Sequence, residues 1–269
     1  MSVSLTSDRT LGDLQLPFVS CLCPTYHRPQ LLANSLACFL SQSYPADRRE
    51  LIILDDAGQF SPQRGNGWEL ISVGRRFSSL PAKFNALAAL ARGDIYVVWE
   101  DDDVYLPWHI QAHVEVLTND HFVSKPSRVR SHFQGVLSEE DAVGRFHASI
   151  AFTKEILTKV QGWPLTSRGD FDQQFLGLLA STGSVGDPVS SHAPSYIFRW
   201  ESTQAYHGES FMQSADDEQW YVRAESAGSH EQTAPLIPVF DDHTRSCFSE
   251  LTIDIPEMVE SLLVGSGSV

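Results

Sequence analysis

Cysteine is scarce in this sequence. The 269 residues include four cysteines, Cys21, Cys23, Cys38 and Cys247. Cysteines at these irregular spacings are too few for a disulfide framework or a zinc knuckle. We therefore interpret them as small buried hydrophobic side chains of a protein in a reducing compartment.

Basic residues are also few. There are 19 Lys and Arg against 34 Asp and Glu, which gives a formal net charge of −15. Nucleic acids and anionic membranes attract basic patches, so this balance argues against nucleic acid or a membrane surface as a partner. A negatively charged substrate would need local help from a metal ion or from a few Lys and Arg side chains.

Long hydrophobic runs are missing. No stretch approaches the ~20 apolar residues that a membrane-spanning helix requires, so we predict no transmembrane segment. Residues 1–16 form a polar lead-in without the apolar core and cleavage site of a signal peptide. We therefore expect a cytoplasmic protein. Its hydrophobic content of 42% is sufficient for the core of one large domain or two small ones.

An apolar run that leads directly into acids is the most informative stretch. Residues 95–99 are β-branched and aromatic, which predicts a buried strand. Glu100, Asp101, Asp102 and Asp103 follow, at the strand end where open α/β sheets bind ligands. Neighbouring carboxylates repel one another, and a hard ion such as Mg²⁺ or Mn²⁺ removes that repulsion. The alternative is an acidic, solvated loop that caps the next helix.

Strand and helix patterns alternate through the first hundred residues. This alternation predicts a doubly wound, mostly parallel sheet flanked by helices. We expect Pro24 to end the first strand and Gly93 to cap the second helix. The second strand ends in Asp55 and Asp56, so two strands have acidic carboxyl ends. The predicted strands are 18–23, 51–54, 68–73 and 95–99, and the predicted helices are 30–41 and 80–91.

The second half of the chain has a mixed pattern. A helix begins at Pro107 and carries His109 and His113, which lack the Glu and third ligand that a zinc protease requires. A further helix begins at Asp170 and Asp172, which could simply cap it or could supply a general base. The predicted strands are 122–123, 129–136, 147–152 and 195–200, and a polar loop covers 202–210.

Four ordered segments resemble family 2 glycosyltransferases of the GT-A fold. Residues 19–28 resemble that family's strand and Pro-Thr-Tyr-Asn-Arg turn, with His27 in the Asn position. Residues 42–45 resemble its Gln-Thr-Tyr-Pro helix end, and 83–85 with 91–94 resemble the segment before its DXD motif. The resemblance implies an α/β GT-A-type sheet with a smaller antiparallel portion on the acceptor side. The implied divisions are a lead-in at 1–16, a nucleotide-sugar-binding half at 17–117, an acceptor-binding and catalytic half at 118–224, and a C-terminal extension at 225–269.

The same resemblance implies an activity. It implies that this protein is a metal-dependent, inverting glycosyltransferase, which would move a sugar from a nucleotide-diphosphate-sugar to an acceptor hydroxyl. The implied cofactor is Mn²⁺ or Mg²⁺, and the implied donor is a UDP-sugar, because UDP is the commonest donor nucleotide of the family. The acceptor would be a carbohydrate or another hydroxyl compound.

Site residues carry over from the resemblance position by position. Counted back from Pro107, the DXD frame is Glu100-Asp101-Asp102, so Asp102 matches the metal-binding acid, with Asp103 beside it. His207 could complete the metal shell or be a surface histidine. The best match to the catalytic base is Asp170, then Asp172, since Gly169-Asp170-Phe171-Asp172 resembles a Glu-Asp-x-Asp segment with Gly in place of Glu. The expected nucleotide-binding residues are Pro24, Thr25, Tyr26, Arg28, Asp55, Asp56, Lys83, Glu100 and Asp101.

Two other functions remain open. A nucleotidyltransferase would have a Gly-rich basic loop after the first strand, and residues 24–29 contain no glycine, which disfavours this class. A non-catalytic nucleotide-sugar-binding protein of the same fold is left open by Gly169 and by Glu100 at the first DXD position, which depart from the family's pattern. Trp163 could stack on an acceptor sugar or lie in the core.

Overall fold

The computed structural model describes residues 16–118, 121–166, 169–200 and 235–254. These residues form two sheets, one of eight strands and one of four, with helices packed against them. The strands are β1 Val19–Thr25, β2 Arg49–Asp55, β3 Gln63–Gly65, β4 Trp68–Ser72, β5 Ile95–Val98, β6 Val104–Tyr105, β7 Val123–Ser124, β8 Arg128–Phe133, β9 Val136–Asp141, β10 Ala151–Thr153, β11 Val185–Gly186 and β12 Tyr196–Arg199. The helices are α1 Pro29–Leu40, α2 Leu80–Leu90, α3 His109–Leu117, α4 Lys154–Lys159, α5 Phe171–Ala180 and α6 Asp242–Glu250.

The large sheet is mostly parallel, in the order β11-β7-β10-β5-β1-β2-β4-β3. Its central strand β1 pairs in parallel with β2 and β5, and β2 pairs in parallel with β4. Strand β10 runs antiparallel between β5 and β7. Strands β1, β2 and β5 are buried along their whole length, as expected for a parallel sheet covered on both faces.

The small sheet has the order β6-β12-β8-β9. It is antiparallel apart from the pairing of β12 with β8. Strand β6 directly follows the acidic residues after β5, so the acids lie where the chain passes from one sheet to the other. The α/β fold class that the sequence predicts, with its mostly parallel sheet and smaller portion, is confirmed, whereas the domain boundaries stay a prediction.

Two predicted element ends are wrong. Pro24 does not end β1, which continues to Thr25 with Pro24 opposite Leu54 of β2. The ladder between β1 and β5 stops at Leu22, so the missing N–H of Pro24 falls beyond it.

Gly93 does not cap α2 either, because that helix ends at Leu90 with Ala91 extended. Glycine is required at 93 for another reason, a close approach of the backbone. A Cβ on Gly93 would lie 2.7 Å from both the backbone N and the Oγ of Ser20.

Two predicted strands are interrupted. Residues 129–136 are not one strand, since β8 and β9 form a hairpin whose turn holds Gln134 and Gly135 at positive φ. Residues 147–152 begin as a 3-10 turn at His147–Ser149 before β10 starts at Ala151. Within the described part of the chain, no helix combines the length and the apolar character needed to cross a membrane.

Candidate active site

The four consecutive acids lie in a turn between β5 and β6. Trp99 is the last residue of the apolar run, and its ring stacks on Tyr105 with the ring centroids 3.9 Å apart. The Trp99 indole donates to Ser35 Oγ (2.9 Å), and the Glu100 N–H donates to the Tyr105 hydroxyl (2.7 Å). These contacts hold both ends of the turn, so the carboxylates between them point in different directions instead of alternating along a strand.

Asp101 and Asp102 face the loop after β1. The Thr25 hydroxyl donates to Asp101 Oδ2 (2.6 Å). The Arg28 guanidinium donates to Asp101 Oδ1 (3.0 Å) and to Asp102 Oδ2 (2.9 Å). Both carboxylates are buried, while the Arg28 side chain keeps 23% of its surface exposed. Two of the expected nucleotide-binding residues, Thr25 and Arg28, therefore contact the acidic run directly.

Asp103 faces β12 of the small sheet. The Tyr196 hydroxyl donates to Asp103 Oδ2 (2.5 Å), and the Arg199 backbone N–H donates to Asp103 Oδ1 (3.3 Å). Asp103 therefore joins the large sheet to the small one at this edge. The sequence gives no signal for Tyr196, which lies in an ordinary apolar strand.

Glu100 lies beside a histidine that the sequence does not single out. Glu100 Oε1 is 3.4 Å from His147 Nδ1, and the Trp163 indole donates to His147 Nε2 (2.8 Å). Because Nε2 accepts, the neutral ring is assigned its proton on Nδ1, facing Glu100. Burial lowers the pKa of His147 to about 4, although the charge of Asp172 acts in the opposite direction. His147 is therefore a neutral donor to Glu100 near pH 7.

Trp163 belongs to the core and not to an exposed acceptor platform. It is 1% exposed, and its ring stacks between Phe84 and Phe175 at centroid distances of 5.0 and 4.3 Å. Of the two alternatives for Trp163, the structure therefore shows the core position and not a surface on which an acceptor sugar could stack. Its indole N–H instead orients His147, which only the folded chain brings close to Glu100.

Carboxylate oxygens of Glu100, Asp102 and Asp103 lie within 4.8 Å of one another. Burial, together with the neighbouring charges of Asp102 and Glu100, raises the pKa of Asp103 well above its usual value. Burial also raises the pKa of Asp101 to about 6, against the opposing charge of Arg28. A divalent cation reverses these effects, and an all-oxygen donor set suits Mg²⁺ or Mn²⁺. The residues therefore fit a divalent ion, and Glu100 joins the two expected ligands, Asp102 and Asp103.

The second acidic strand end is built differently. Asp55 accepts from the backbone N–H groups of Ala57 and Gln59 at 2.9 and 3.0 Å and from the Ser72 hydroxyl at 2.8 Å. These hydrogen bonds shape the loop after β2. Asp55 is fully buried, so its contribution to the site is to position that loop.

Asp56 forms a buried ion pair with Lys83. Its Oδ1 is 2.5 Å from Lys83 Nζ, and its Oδ2 accepts from the Phe77 N–H (3.0 Å). Lys83 also donates to the Thr25 carbonyl (2.6 Å), and burial lowers its pKa despite the attraction of Asp56. Lys83 thus ties β1, β2 and α2 together, and the expectation that it contacts a diphosphate stays a prediction.

The rest of the nucleotide-side loop lies near these residues. The Arg76 guanidinium lies over the Tyr26 ring, 4.2 Å from its centroid, and Pro24 precedes Thr25 in β1. Pro24, Tyr26 and Arg28 therefore share the carboxyl end of β1 with the acidic turn that follows β5.

The expected catalytic acids lie at the start of α5. Asp170 is the N-cap residue, but its Oδ1 accepts from Gln174 Nε2 (2.9 Å) without a side-chain cap to the backbone. Asp172 Oδ1 accepts from the Gln173 N–H (2.8 Å). The α5 residue Phe171 packs against the His147 ring at a centroid distance of 5.7 Å. The start of α5 is therefore connected to Glu100 through His147. His207, the remaining expected ligand, lies outside the described residues.

The fold and site together define a GT-A-type α/β architecture, with acids at the carboxyl ends of parallel strands. Residues 20–137 match the family model described as Glycosyl transferase family 2. This match confirms the resemblance to family 2 glycosyltransferases over residues 20–137. No curated protein matches the chain significantly.

Solved structures with the same fold are distant in sequence. S. aureus TarS 1–349 in complex with UDP-GlcNAc has a TM-score of 0.57 and 12% identity, over 93% of this chain and 79% of that chain. The mannosyltransferase PcManGT from Pyrobaculum calidifontis, in complex with GDP-Man and Mn²⁺, has a TM-score of 0.53 and 17% identity, over 95% and 77%. Another structure of TarS 1–349 has a TM-score of 0.56 and 13% identity over 68% of this chain, and the match spans 60% of that chain. At these identities the likeness shows the fold alone.

Proposed function

We propose that this protein is a metal-dependent, inverting glycosyltransferase that transfers a sugar from a nucleotide-diphosphate-sugar to an acceptor hydroxyl. The observation that carries the proposal is the group of Glu100, Asp102 and Asp103, whose oxygens lie within 4.8 Å of one another at the edge of a family 2 domain. Carboxylates at that spacing, two of them buried, repel one another, and a divalent ion with a diphosphate resolves the repulsion.

Glu100, Asp102 and Asp103 are the residues that would hold the ion. When bound, Mn²⁺ or Mg²⁺ supplies Lewis-acid stabilisation of the negative charge on the departing nucleotide diphosphate. This chain contributes the orientation of the carboxylates. His147 holds Glu100 from one side, and Tyr196 with the Arg199 N–H holds Asp103 from the other.

The donor nucleotide would bind across the ends of β1 and β2. Tyr26 and Asp56 are the expected base-contacting residues, and Asp56 would have to exchange its hydrogen bond from the Phe77 N–H for one from the base. Arg28 is a cation close to where a diphosphate would approach the acids. We propose a UDP-sugar as donor. The UDP-GlcNAc complex of TarS supports this choice, while the GDP-Man complex of PcManGT makes a GDP-sugar the alternative to test.

The acceptor would be deprotonated by Asp170. A carboxylate at the start of α5 takes the proton from the acceptor oxygen as that oxygen attacks the anomeric carbon, with inversion of configuration. The Gln174 amide donates to Asp170 Oδ1 and so orients the carboxylate. Asp172 is the alternative base, and its neighbour Phe171 packs against the His147 ring at a centroid distance of 5.7 Å, which connects the start of α5 to Glu100.

The experiment is a thermal-shift screen of UDP-, GDP-, dTDP- and CDP-sugars, each with Mn²⁺ and with EDTA. One nucleotide class should raise Tm with Mn²⁺ and lose that effect with EDTA, because only ligands of the native state stabilise it. Asp102→Asn should abolish the Mn²⁺-dependent shift. Asp94→Asn is the matched control, because Asp94 is exposed and lies at the opposite end of β5. An unchanged shift in Asp102→Asn would refute the metal assignment.

Turnover separates the enzyme from a binding protein. Release of nucleoside diphosphate with an acceptor pool should fall by about 10²–10⁴-fold in Asp170→Asn, with donor binding unchanged. Near-normal release in Asp170→Asn together with a large loss in Asp172→Asn would move the base to Asp172. Donor binding without release by the unmodified protein, with every acceptor class supplied, would refute catalysis and favour a nucleotide-sugar-binding protein.

A further inference from the structure

A second group of metal-ligating side chains lies at the small sheet. His132, His243 and Cys247 each offer a ligand atom, and the three atoms lie within 4.8 Å of one another. The two imidazole rings are perpendicular, with their centroids 4.2 Å apart. These nitrogen and sulfur donors differ from the carboxylates of the candidate active site, so the group can be considered separately.

The fold brings this group together from two elements. His243 and Cys247 are four residues apart in α6, which places them on one face of that helix. His132 lies in β8, opposite Arg199 of β12. The Arg199 guanidinium anchors α6 to the sheet by donating to Asp241 Oδ2 (2.6 Å) and to Thr244 Oγ1 (2.9 Å). Helix α6 is therefore held with its His-x-x-x-Cys face toward His132.

A second observation points to a ligand at this place. Both ring nitrogens of His243 are buried, and neither has a hydrogen-bond partner within the described ranges. Buried polar atoms are almost always paired, because an unsatisfied donor or acceptor costs about 1–3 kcal/mol. A bound ion would satisfy one nitrogen of His243 and would give this arrangement a physical reason.

We propose that His132, His243 and Cys247 bind a zinc-type transition-metal ion that ties α6 to the small sheet. Imidazole and thiolate are the donors that Zn²⁺ selects, whereas Mg²⁺ and Ca²⁺ prefer oxygen. A tetrahedral ion on three protein ligands has a fourth position for water. On binding, the Cys247 thiol loses its proton to solvent, and the thiolate bonds to the metal.

The electrostatic surroundings are compatible with a cation. Arg199 is the nearby positive group, and the Asp241 carboxylate neutralises it through the ion pair at 2.6 Å. The net charge brought by Zn²⁺ and one thiolate is a single positive charge, which a partly buried site tolerates better than two.

The test uses the full chain, stripped of metal with EDTA, dialysed and titrated with Co²⁺ as a spectroscopic probe of the zinc site. The wild type should develop a thiolate-to-cobalt charge-transfer band in the near ultraviolet. The band should disappear in Cys247→Ala, and His243→Ala or His132→Ala should weaken Co²⁺ binding by tenfold or more. Cys21→Ala is the matched cysteine control, since Cys21 is also fully buried but lies in β1. Asp102→Asn excludes Co²⁺ bound at the acidic turn, and both controls should keep the band.

Four results would overturn the proposal. They are a wild type with no charge-transfer band, a band that survives Cys247→Ala, a band lost equally in Cys21→Ala, and histidine variants that bind Co²⁺ like the wild type. Far-ultraviolet circular dichroism checks that each variant is folded. If Cys247→Ala does not fold, the two histidine variants decide by the same titration. Because Asp102→Asn keeps the band whether or not the protein transfers a sugar, this outcome is independent of the proposed function.

Discussion

The buried ion pair between Lys83 and Asp56 allows a sharp prediction about stability. Lys83 Nζ lies 2.5 Å from Asp56 Oδ1, and the two side chains are 4% and 3% exposed. Replacing Lys83 by Met removes the cation, so Asp56 keeps only its hydrogen bond from the Phe77 N–H among the contacts described above. Removing one partner of a buried ion pair leaves the other charge buried without compensation, which lowers the free energy of unfolding by about 3–5 kcal/mol.

The chain contains a matched control. Arg64 and Glu69 form an ion pair of the same 2.5 Å length, but their side chains are 78% and 38% exposed. Arg64→Met should cost no more than about 1 kcal/mol, because water screens an exposed pair. Urea unfolding without ligand or metal measures both free energies of unfolding. The two pairs have the same length and differ most in burial, and Lys83→Met also loses the hydrogen bond to the Thr25 carbonyl.

A double variant separates the effect of the unpaired Asp56 charge from the effect of losing the contact with Lys83. Lys83→Met with Asp56→Asn removes both charges and leaves an amide that can still accept from Phe77. It should recover part of the stability that Lys83→Met loses, because no unpaired charge remains buried. The reasoning is refuted if Lys83→Met stays within 1 kcal/mol of the wild type, or if Arg64→Met loses as much as Lys83→Met.

Three further predictions concern other buried groups. Burial lowers the pKa of Lys125 from 10.5 to about 7, so between these values the native state binds fewer protons than the unfolded chain. Wild-type stability should therefore gain from Lys125 as pH rises from 7 to 10, and Lys125→Met should reduce that gain in urea unfolding at pH 7 and 9. Gly93→Ala should lower the free energy of unfolding by about 1–3 kcal/mol, because the added methyl group overpacks against Ser20. Gly177→Ala should raise it by about 0.5–1 kcal/mol, because the methyl group meets open space inside α5. Equal changes in the melting temperature of the two variants would contradict this. Trp163→Phe keeps the aromatic stack but removes the donor to His147 Nε2, so ¹⁵N NMR should find a smaller share of the Nδ1–H tautomer, which Glu100 alone then favours.

The sheet of the first hundred residues could be predicted because its strands are visible in the local sequence, without knowledge of which strands pair. Residues 51–54 and 95–98 are continuous apolar runs, and both lie in fully buried parallel strands. Acids at the ends of those runs then had to lie at one edge of the sheet. The β8–β9 hairpin was missed because its turn is Gln134-Gly135, where Gln134 adopts the positive φ that turn statistics reserve for Gly, Asn and Asp.

The contacts of the site could be predicted only in part. The acidic run and the loop of Thr25 and Arg28 are adjacent because β1 and β5 are neighbouring strands. His147 and Trp163 gave no such signal, since their roles depend on a hydrogen bond between residues from separate elements. The same is true of Cys247, whose burial was expected. Its position beside His132 and His243 depends on how α6 packs on the small sheet.

The position of the four acids in a turn limits what counting along the sequence can say about the DXD motif. A strand would send alternate carboxylates to opposite faces, but β5 ends at Val98 and the acids follow in a turn. Each carboxylate then meets a different element: Glu100 meets His147, Asp101 meets Thr25, and Asp103 meets Tyr196 of β12.

Strand β12 connects the two candidate metal sites through one residue. The Arg199 backbone N–H donates to Asp103, while its side chain donates to Asp241 at the start of α6. Arg199 is therefore a residue that contacts both α6 and the acidic turn, without any contact between the two groups of ligands. An ion on His132, His243 and Cys247 would add a second attachment between α6 and the small sheet.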